Sequence, residues 1–455
     1  MAARKKRVLS AEEQLEAALV PESEWPYEVP DNWCWVKGGG LFKPMQSIAP
    51  VGETFRYIDI ESIDNHRQEV NEPKEMPVEK APSRARRKLS TGDTVFSMVR
   101  PYLKNIAYID EDLDGCIAST GFYVCSPAEC LDGRYLYYLM CSGYVVDGLN
   151  AFMKGDNSPS IRSRDVELFP FPLPPLHEQR RIASRIEWLF AKLNDAEAEL
   201  REVIDSSEQR QAAILHRAFT GQLTEAWRKE HGISRKTWAK KTLGEVCSSI
   251  FDGDHMPPPK VSKGIPFLVI SNVNNGHLSF EDTRFVPEAY YNNLTATRKP
   301  RIGDVLYTLV GSYGIPVMVD DERPFCFQRH MALLKPSDIE QRFLWYLLRS
   351  QSMFEKATAI ATGTAQLTVP IKGLRNLEFD CPGSEERDEI IRQLDILLSK
   401  EEQTLSTVRS VLEITTLTRQ AILAKALRGE LGTNDPAEPN SKELLTSVAS
   451  KNAGK

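Results

Sequence analysis

The sequence predicts an α+β protein built twice: two tandem α/β domains separated by two long antiparallel coiled-coil helices, the halves forming a pseudo-twofold repeat. Three observations carry this reading. Glu178, Ile182, Leu189, Lys192, Ala213, Ile214, Leu215, Ala218, Gly221 and Leu223 recur as Glu386, Ile390, Leu397, Lys400, Ala421, Ile422, Leu423, Ala426, Gly429 and Leu431, at a constant offset of 208 residues. Ile182, Ile186, Leu189, Leu193, Ala196, Leu200 and Val203 step alternately by four and three, the 3.5-residue period of a coiled coil. Finally, Arg87-Lys88-Leu89-Ser90-Thr91-Gly92-Asp93-Thr94-Val95-Phe96 parallels Arg298-Lys299-Pro300-Arg301-Ile302-Gly303-Asp304-Val305-Leu306-Tyr307, each a Gly-Asp turn feeding a strand.

Taken in chain order, residues 1–25 form an acidic N-terminal extension and residues 26–174 the first domain. Residues 175–237 hold the first spacer helix and a linker. Its lead-in, Phe171-Pro172-Leu173-Pro174-Pro175, cannot be helical, and Glu178 sits in the first turn, where the helix dipole favours an anion. Residues 238–382 form the second domain and 383–432 the second spacer helix, with Ser384 as N-cap. The second seam runs through Ile390, Leu394, Leu397, Val408, Val411 and Ile422, with Glu401 and Thr404 interrupting it. Gly221 and Gly429 follow the last apolar turns, as C-terminal caps do. A helix over 178–219 would be ~60 Å long. The segment 238–382 packs to a diameter of only ~40 Å, too small to carry the chain back along a parallel partner. The helices are therefore expected to be antiparallel, with one domain at each end. The acidic stretch 10–31 and the tail 433–455, with a short helix near Lys442 to Val448, are expected to be docking or disordered pieces.

The chain has 455 residues, 41% hydrophobic and 26% charged, an ordinary globular balance. No apolar run reaches 18 residues and no apolar core follows the basic N-terminus, so neither a membrane span nor a secretion signal is expected. Eight cysteines without a Cys-x-x-Cys pair fit buried, reduced thiols in a cytoplasm. The net charge of −6 is uneven: residues 10–31 carry seven acids and no Lys or Arg, whereas 81–105 carries a local +5. Local charge is what a phosphate feels. The sequence has no G-x-x-x-x-G-K-[ST] loop, no Asn or Asp before Pro-Pro-Tyr or Pro-Pro-Phe, and no Gly-x-Ser-x-Gly or His-Glu-x-x-His. That pattern points to a reader lending specificity to enzymes elsewhere. Its rivals are a coiled-coil scaffold or adaptor that binds proteins only, and an enzyme with an unrecognised nuclease centre.

Candidate nucleic-acid contacts follow from the repeat. Arg84, Arg86, Arg87 and Lys88, and in the second half Arg298, Lys299 and Arg301, lie beside the Gly-Asp strand and suit phosphates. Arg100, Tyr102 and Lys104 in one loop, Ser312 and Tyr313 in its counterpart, and the pair Arg329-His330 are placed to reach base edges. His255, in a segment without counterpart in the first half, joins them; no Cys or His lies at a spacing that would make it a metal ligand. The aromatic helices Arg134–Leu139 and Arg342–Leu347 are expected in the core rather than stacking on bases.

The head of the first helix, Pro172-Leu173-Pro174-Pro175-Leu176-His177-Glu178-Gln179, and its end, Ala218-Phe219-Thr220-Gly221-Gln222-Leu223-Thr224-Glu225-Ala226-Trp227-Arg228, resemble the specificity (S) subunit of type I restriction-modification systems. So does Ala421-Ile422-Leu423-Ala424-Lys425-Ala426-Leu427-Arg428-Gly429-Glu430-Leu431, and Asp252-Gly253-Asp254-His255 through Leu268 is similar to the opening of a target recognition domain. The resemblance covers residues 26 to 432; it departs at Gly383-Ser384-Glu385-Glu386-Arg387, where that family often repeats the Pro-Pro…Glu-Gln lead-in. It implies two target recognition domains, each reading one half of a bipartite, asymmetric site in double-stranded DNA, with the helices setting the unread gap. It further implies two docked methyltransferase (M) subunits, bringing S-adenosylmethionine and adenine methylation, and restriction (R) subunits using ATP and Mg²⁺. This chain itself would be no enzyme and would hold no cofactor.

Overall fold

The computed structural model describes residues 10–253, 258–273, 275–364 and 366–453. The chain divides into two compact units, Met1–Glu199 with Val411–Lys455, and Leu200–Ser410. The first is thus made from both ends of the chain and the second from its middle.

In the first unit the strand Thr94–Ser97 lies between Phe122–Cys125 and Ile106–Tyr108, both antiparallel to it. All four of its residues are buried, which suits its Thr-Val-Phe-Ser composition. A second sheet runs Lys74–Pro77, Thr54–Ile58, Ile117–Ser119, Ala85–Lys88, with a parallel pair at its centre. Cys34–Lys37 pairs with the proline-rich Pro170–Leu173 in a two-stranded ladder, where prolines are tolerated because each strand is an edge. The second unit repeats this plan. Val305–Thr308 lies between Met331–Pro336 and Pro316–Met318, Ile265–Leu268 pairs parallel to Cys326–Phe327, and Ala239–Thr242 pairs with Glu378–Cys381. Cys247–Asp252 adds a strand with no partner in the first plan. The Gly-Asp turns close alike: Asp93 Oδ2 accepts from the Ser90 N–H at 2.8 Å and Asp304 Oδ2 from the Arg301 N–H at 2.9 Å, a turn mimicry that Asp favours. The aromatic helices are core, with Tyr135, Leu136 and Leu139 buried in one and Phe343, Leu344 and Leu347 in the other.

Each domain core takes in the start of one spacer helix and the end of the other. Ile182, Ile186, Leu423 and Leu427 join Trp33, Phe96 and Tyr135 in the first unit; Leu215, Ala218, Ile390 and Leu394 join Trp238, Tyr307 and Phe343 in the second. Full burial of one such aliphatic side chain contributes roughly 1.5–3 kcal/mol. In the first unit Glu197 accepts from Thr415 Oγ1 at 2.7 Å and Asn194 Oδ1 from Arg419 at 2.6 Å. In the second unit Arg210 pairs with Glu401 at 2.6 Å. Position rises on one helix as it falls on the other, so the segments run antiparallel in both units.

Two expectations for the helices are corrected. The first is not continuous: helix Leu176–Asp205 stops at Ser206 and a second, Ser207–Phe219, follows. Ser206 Oγ donates back to the Glu202 carbonyl at 2.6 Å, and the Arg210 guanidinium takes the Val203 carbonyl at 2.7 Å, competing with the backbone ladder. The second helix runs unbroken over Ser384–Ala426. Val411 is not a seam residue, being 37% exposed, while Val408 and Thr415 are buried. An α-helix drifts from the 3.5-residue repeat, and here the facing stripe passes through half-buried Leu412 instead. Of the other seam positions, Ile182, Ile186, Ile390 and Leu394 are buried, and Leu189, Leu193, Leu200, Val203, Leu397 and Ile422 half-buried.

A crossed clasp closes each unit. Beyond Gly221, which takes φ 82 at the first helical end, Thr224 Oγ1 donates to Glu386 at the head of the second long helix (2.7 Å). Beyond Gly429, φ 73, Thr433 Oγ1 donates to Glu178 at the head of the first (2.7 Å). Trp238 Nε1 and Arg228 also donate to Glu386, and Arg181 to Glu178. The N-terminal segment and the tail, expected to be docking or disordered pieces, are folded onto the first unit. Helix Ser441–Ala453 packs against helix Ala11–Ala18 and buries Leu445 in the core. Asn440 Nδ2 donates to the Asp31 carbonyl at 2.7 Å, and Asn32 Nδ2 to the Asp435 carbonyl at 3.0 Å. Among the described residues no helix is long and apolar enough to cross a membrane.

Candidate nucleic-acid interface

The turn that follows each central strand is held by two neighbours, and the same hydrogen bonds recur in both units. After Thr94–Ser97, Val99 bridges Ser160, the Arg100 N–H donates to the Pro159 carbonyl at 2.8 Å, and the Ile161 N–H to the Met98 carbonyl at 3.0 Å. After Val305–Thr308, Val310 bridges Thr368, the Gly311 N–H donates to Leu367 at 3.2 Å, and the Val369 N–H to Leu309 at 2.9 Å. On the other side the Met98 N–H donates to Gly121 at 2.9 Å and the Leu309 N–H to His330 at 2.8 Å. Each unit therefore presents one head of three segments: a turn, an overlying polar loop at 154–160 or at 362–364 and 366–368, and the chain entering the Phe122 or Met331 strand.

These registers show what each head displays. The first carries Arg100 and Lys104 on its turn, with Tyr102 45% exposed between them; its third segment offers only Thr120 and Gly121. The second reverses this. Its turn has Gly311, Ser312, Tyr313 and Gly314, and Arg329 and His330 stand where the first head has Thr120 and Gly121. Tyr313 is fixed rather than free: its ring stacks on Phe354 (5.6 Å, 7°) and its hydroxyl donates to Thr358 Oγ1 at 3.0 Å. Burial, together with the Arg329 charge, lowers the His330 pKa, so the ring is neutral near pH 7. Gln328 Nε2 lies 2.8 Å from its Nδ1; with the amide as donor, the neutral ring carries its proton on Nε2.

The structure thus gathers Arg100, Tyr102 and Lys104 into one head, and Ser312, Tyr313, Arg329 and His330 into the other. The phosphate candidates fare unevenly. Arg84, Arg86, Arg87 and Lys88 follow the Ala85–Lys88 edge strand, with the Arg84 carbonyl accepting from the Thr120 N–H at 2.8 Å beside the first head. Arg84 and Lys88 are exposed; Arg86 and Arg87 are half-buried. Arg298 and Lys299 do not lie on a matching strand; they fall at a helical turn, Ala296–Arg298. Pro300 follows them and cannot donate to a ladder, whereas Leu89 stands at that place in the first half. Lys299 is engaged by its neighbours, its Nζ donating to the Asn292 carbonyl at 3.0 Å and lying 5.0 Å from the Tyr291 ring. Arg301 is exposed, and His255 lies outside the described residues. Sequence reasoning missed Asn157, whose carbonyl accepts from Arg100 Nη2 at 2.9 Å, and Gln328 and Phe354, which orient His330 and Tyr313. The sequence does hold one signal: Lys154-Gly155 and Thr362-Gly363 stand at the same offset of 208, which locates the loop without showing what it covers.

Other chemistry is sparse. All eight cysteines are buried, and burial pushes several thiols upward, Cys130 to about 11 and Cys141 to about 12, which leaves them poor nucleophiles. Among the described residues no three His, Cys, Asp or Glu side chains gather as a metal site would require.

The chain is similar to the EcoBI type I restriction enzyme specificity subunit of Escherichia coli, 26% identical over 316 residues, covering 66% of this chain and 65% of that one. It is 24% identical over 319 residues to the EcoKI specificity subunit of Escherichia coli strain K12, covering 68% of each. The aligned part is thus just under two thirds of the EcoBI subunit. Among solved structures, the HsdS subunit from Thermoanaerobacter tengcongensis superposes with a TM-score of 0.62 at 29% identity, over 90% of this chain and all of that one. A chain from a study of complex assembly and conformational transition of the type I R-M system superposes at 0.69, also at 29% identity, over 89% of this chain and all of that one. The family described as the type I restriction modification DNA specificity domain matches twice, over residues 52–206 and 235–409, one match for each half of the repeat and together well over half of the sequence. The chain belongs to that family.

Proposed function

We propose that this protein is the DNA-specificity subunit of a type I restriction-modification complex. Each head reads one half of a bipartite, asymmetric site in double-stranded DNA, and the paired helices set the length of the gap left unread. Two methyltransferase subunits dock on the chain and methylate adenine with S-adenosylmethionine; restriction subunits, using ATP and Mg²⁺, join them in the cytoplasm. The chain supplies specificity, and the chemistry belongs to its partners. The observation that carries this reading is the pair of heads with one hydrogen-bonded frame and different donors on it, Arg100 and Lys104 in one, Arg329 and His330 in the other. A scaffold that binds only proteins has no use for matched frames with rearranged donors. Mapping adenine methylation in the host genome tests it: two fixed words separated by a constant gap are expected. Their loss when the gene is deleted completes the test, and a methylation pattern indifferent to deletion would refute the assignment.

The edge strand gives a second expected result. Arg87→Ala or Lys88→Ala should weaken binding to all duplexes alike and lower the slope of log K against log salt by about 1, the signature of one lost phosphate contact. Fluorescence anisotropy of the assembled complex across a salt series measures it. A change of base preference at one position would contradict the phosphate role.

A further inference from the structure

Among the described residues, four that are not glycine adopt a left-handed backbone, and two of them are Arg100 (φ 48) and Lys104 (φ 56). They bracket the short helical turn Pro101–Leu103 at the tip of the first head. A side chain is crowded in this conformation, because its Cβ approaches a carbonyl oxygen, and such residues persist where function requires them. The second head closes the equivalent turn with two residues, Ser312 and Tyr313, where the first has Pro101–Leu103, and does so without that crowding. Its Val310–Thr368 bridge matches Val99–Ser160, placing Gly311 (φ 73) at the position of Arg100. The Thr308 N–H donates to Ile315 as the Ser97 N–H donates to Asn105, placing Gly314 (φ 89) at the position of Lys104. Both turns are entered and left through left-handed residues, and the second has no side chain at either place. The first unit nevertheless keeps two cations.

Neither cation is consumed in packing. Arg100 is exposed and Lys104 half-buried. Arg100 Nη2 donates to the Asn157 carbonyl of the overlying loop, which steadies the guanidinium of an otherwise exposed side chain. A fixed fork of donors on a rigid turn suits a pair of acceptors at set spacing, and the guanine edge in the major groove, O6 and N7, is such a pair. A flexible lysine anywhere on the surface would serve for a phosphate. Resting on the DNA-reading function above, we propose that Arg100 and Lys104 are specificity-determining residues of the first half-site, which carries guanine where they touch it. The second half-site faces glycine at both places and is read without such contacts.

The test uses the complex assembled with its methyltransferase subunits, selection from a randomised duplex library, and thermal melting, for wild type, Arg100→Gly, Lys104→Gly and Arg100→Asn. If wild type selects no bipartite site, the DNA-reading function falls, whatever the variants do. Given a bipartite site, Arg100→Gly is expected to melt at the same temperature or higher. It should lose a preference of about 10- to 100-fold for guanine at one position of one half-site, the range one bidentate contact supplies, and leave the other half-site intact. Lys104→Gly should do the same at a second position. Arg100→Asn, which also tolerates the left-handed backbone, should share the loss of Arg100→Gly. Uniform weakening with every base preference retained would assign the two cations to phosphates and overturn the proposal. So would lowered melting of both Arg100 variants, since the side chain would then serve the fold.

Discussion

Glu386→Ala should destabilise the second unit by about 3–5 kcal/mol, the range for removing one partner of a buried ion pair. Glu386 is 2% exposed and its partner Arg228 8%, so the variant leaves a guanidinium with no water to take over. Thr224 Oγ1 and Trp238 Nε1 lose their acceptor at the same time. Glu178→Ala, the equivalent change in the first unit, should cost distinctly less. Its partner Arg181 is 39% exposed and keeps Glu438 at 2.8 Å. Replacing both members, Glu386→Leu with Arg228→Met, should be milder than Glu386→Ala alone, because no charge is stranded. Denaturant unfolding, with hydrogen exchange over 224–243 and 384–394 to locate the loss, measures all three. A Glu386→Ala cost below about 1 kcal/mol, well under the buried-pair range, would show that water reaches Arg228.

Deleting one heptad from facing turns of both long helices should shorten the unread gap by about 3 base pairs. Seven residues span ~10 Å of helix, and base pairs lie ~3.4 Å apart along one strand. Because seven is two turns of the coiled-coil period, the apolar stripe keeps its face and the pairing can re-form. The deletion should spare Ser206, where the first helix is already interrupted. Methylation mapping would then report the same two words at a reduced spacing. An unaltered gap, or altered words, would mean that the helices do not measure the distance.

The duplication was legible in the sequence because the positions at the helix heads and ends are buried and cannot drift far in chemistry. The constant offset joining Ile182 to Ile390 and Ala218 to Ala426 reflects four side chains that are all wholly or nearly buried. What sequence reading could not supply was contact between distant segments. Glu178 reads locally as a dipole partner in a first turn, yet its hydroxyl donor lies 255 residues away and that of Glu386 162 residues away. The tail reads as polar and loosely ordered because its anchors are backbone carbonyls on residues 31 and 32, which no periodicity reveals. The break at Ser206 is foreshadowed only by Ser207 and Arg210, polar residues at the places where the four-and-three stepping would continue beyond Val203. For the candidate interface, the turn and its basic residues were visible, but their exchange between heads was not. Matching Arg100 to Gly311 and Gly121 to His330 depends on which carbonyl each N–H finds.

The crossed clasp also bears on the order in which a ribosome makes this protein. The middle unit is complete once residue 410 has emerged, and it can fold as a contiguous stretch. The unit begun first must wait for Leu423, Leu427 and Leu445 to fill its core and for Thr433 to reach Glu178. A message cut short after residue 410, in the last turns of the second helix or in the tail, therefore yields a product whose earliest-made half is the unfinished one, exposed to proteases.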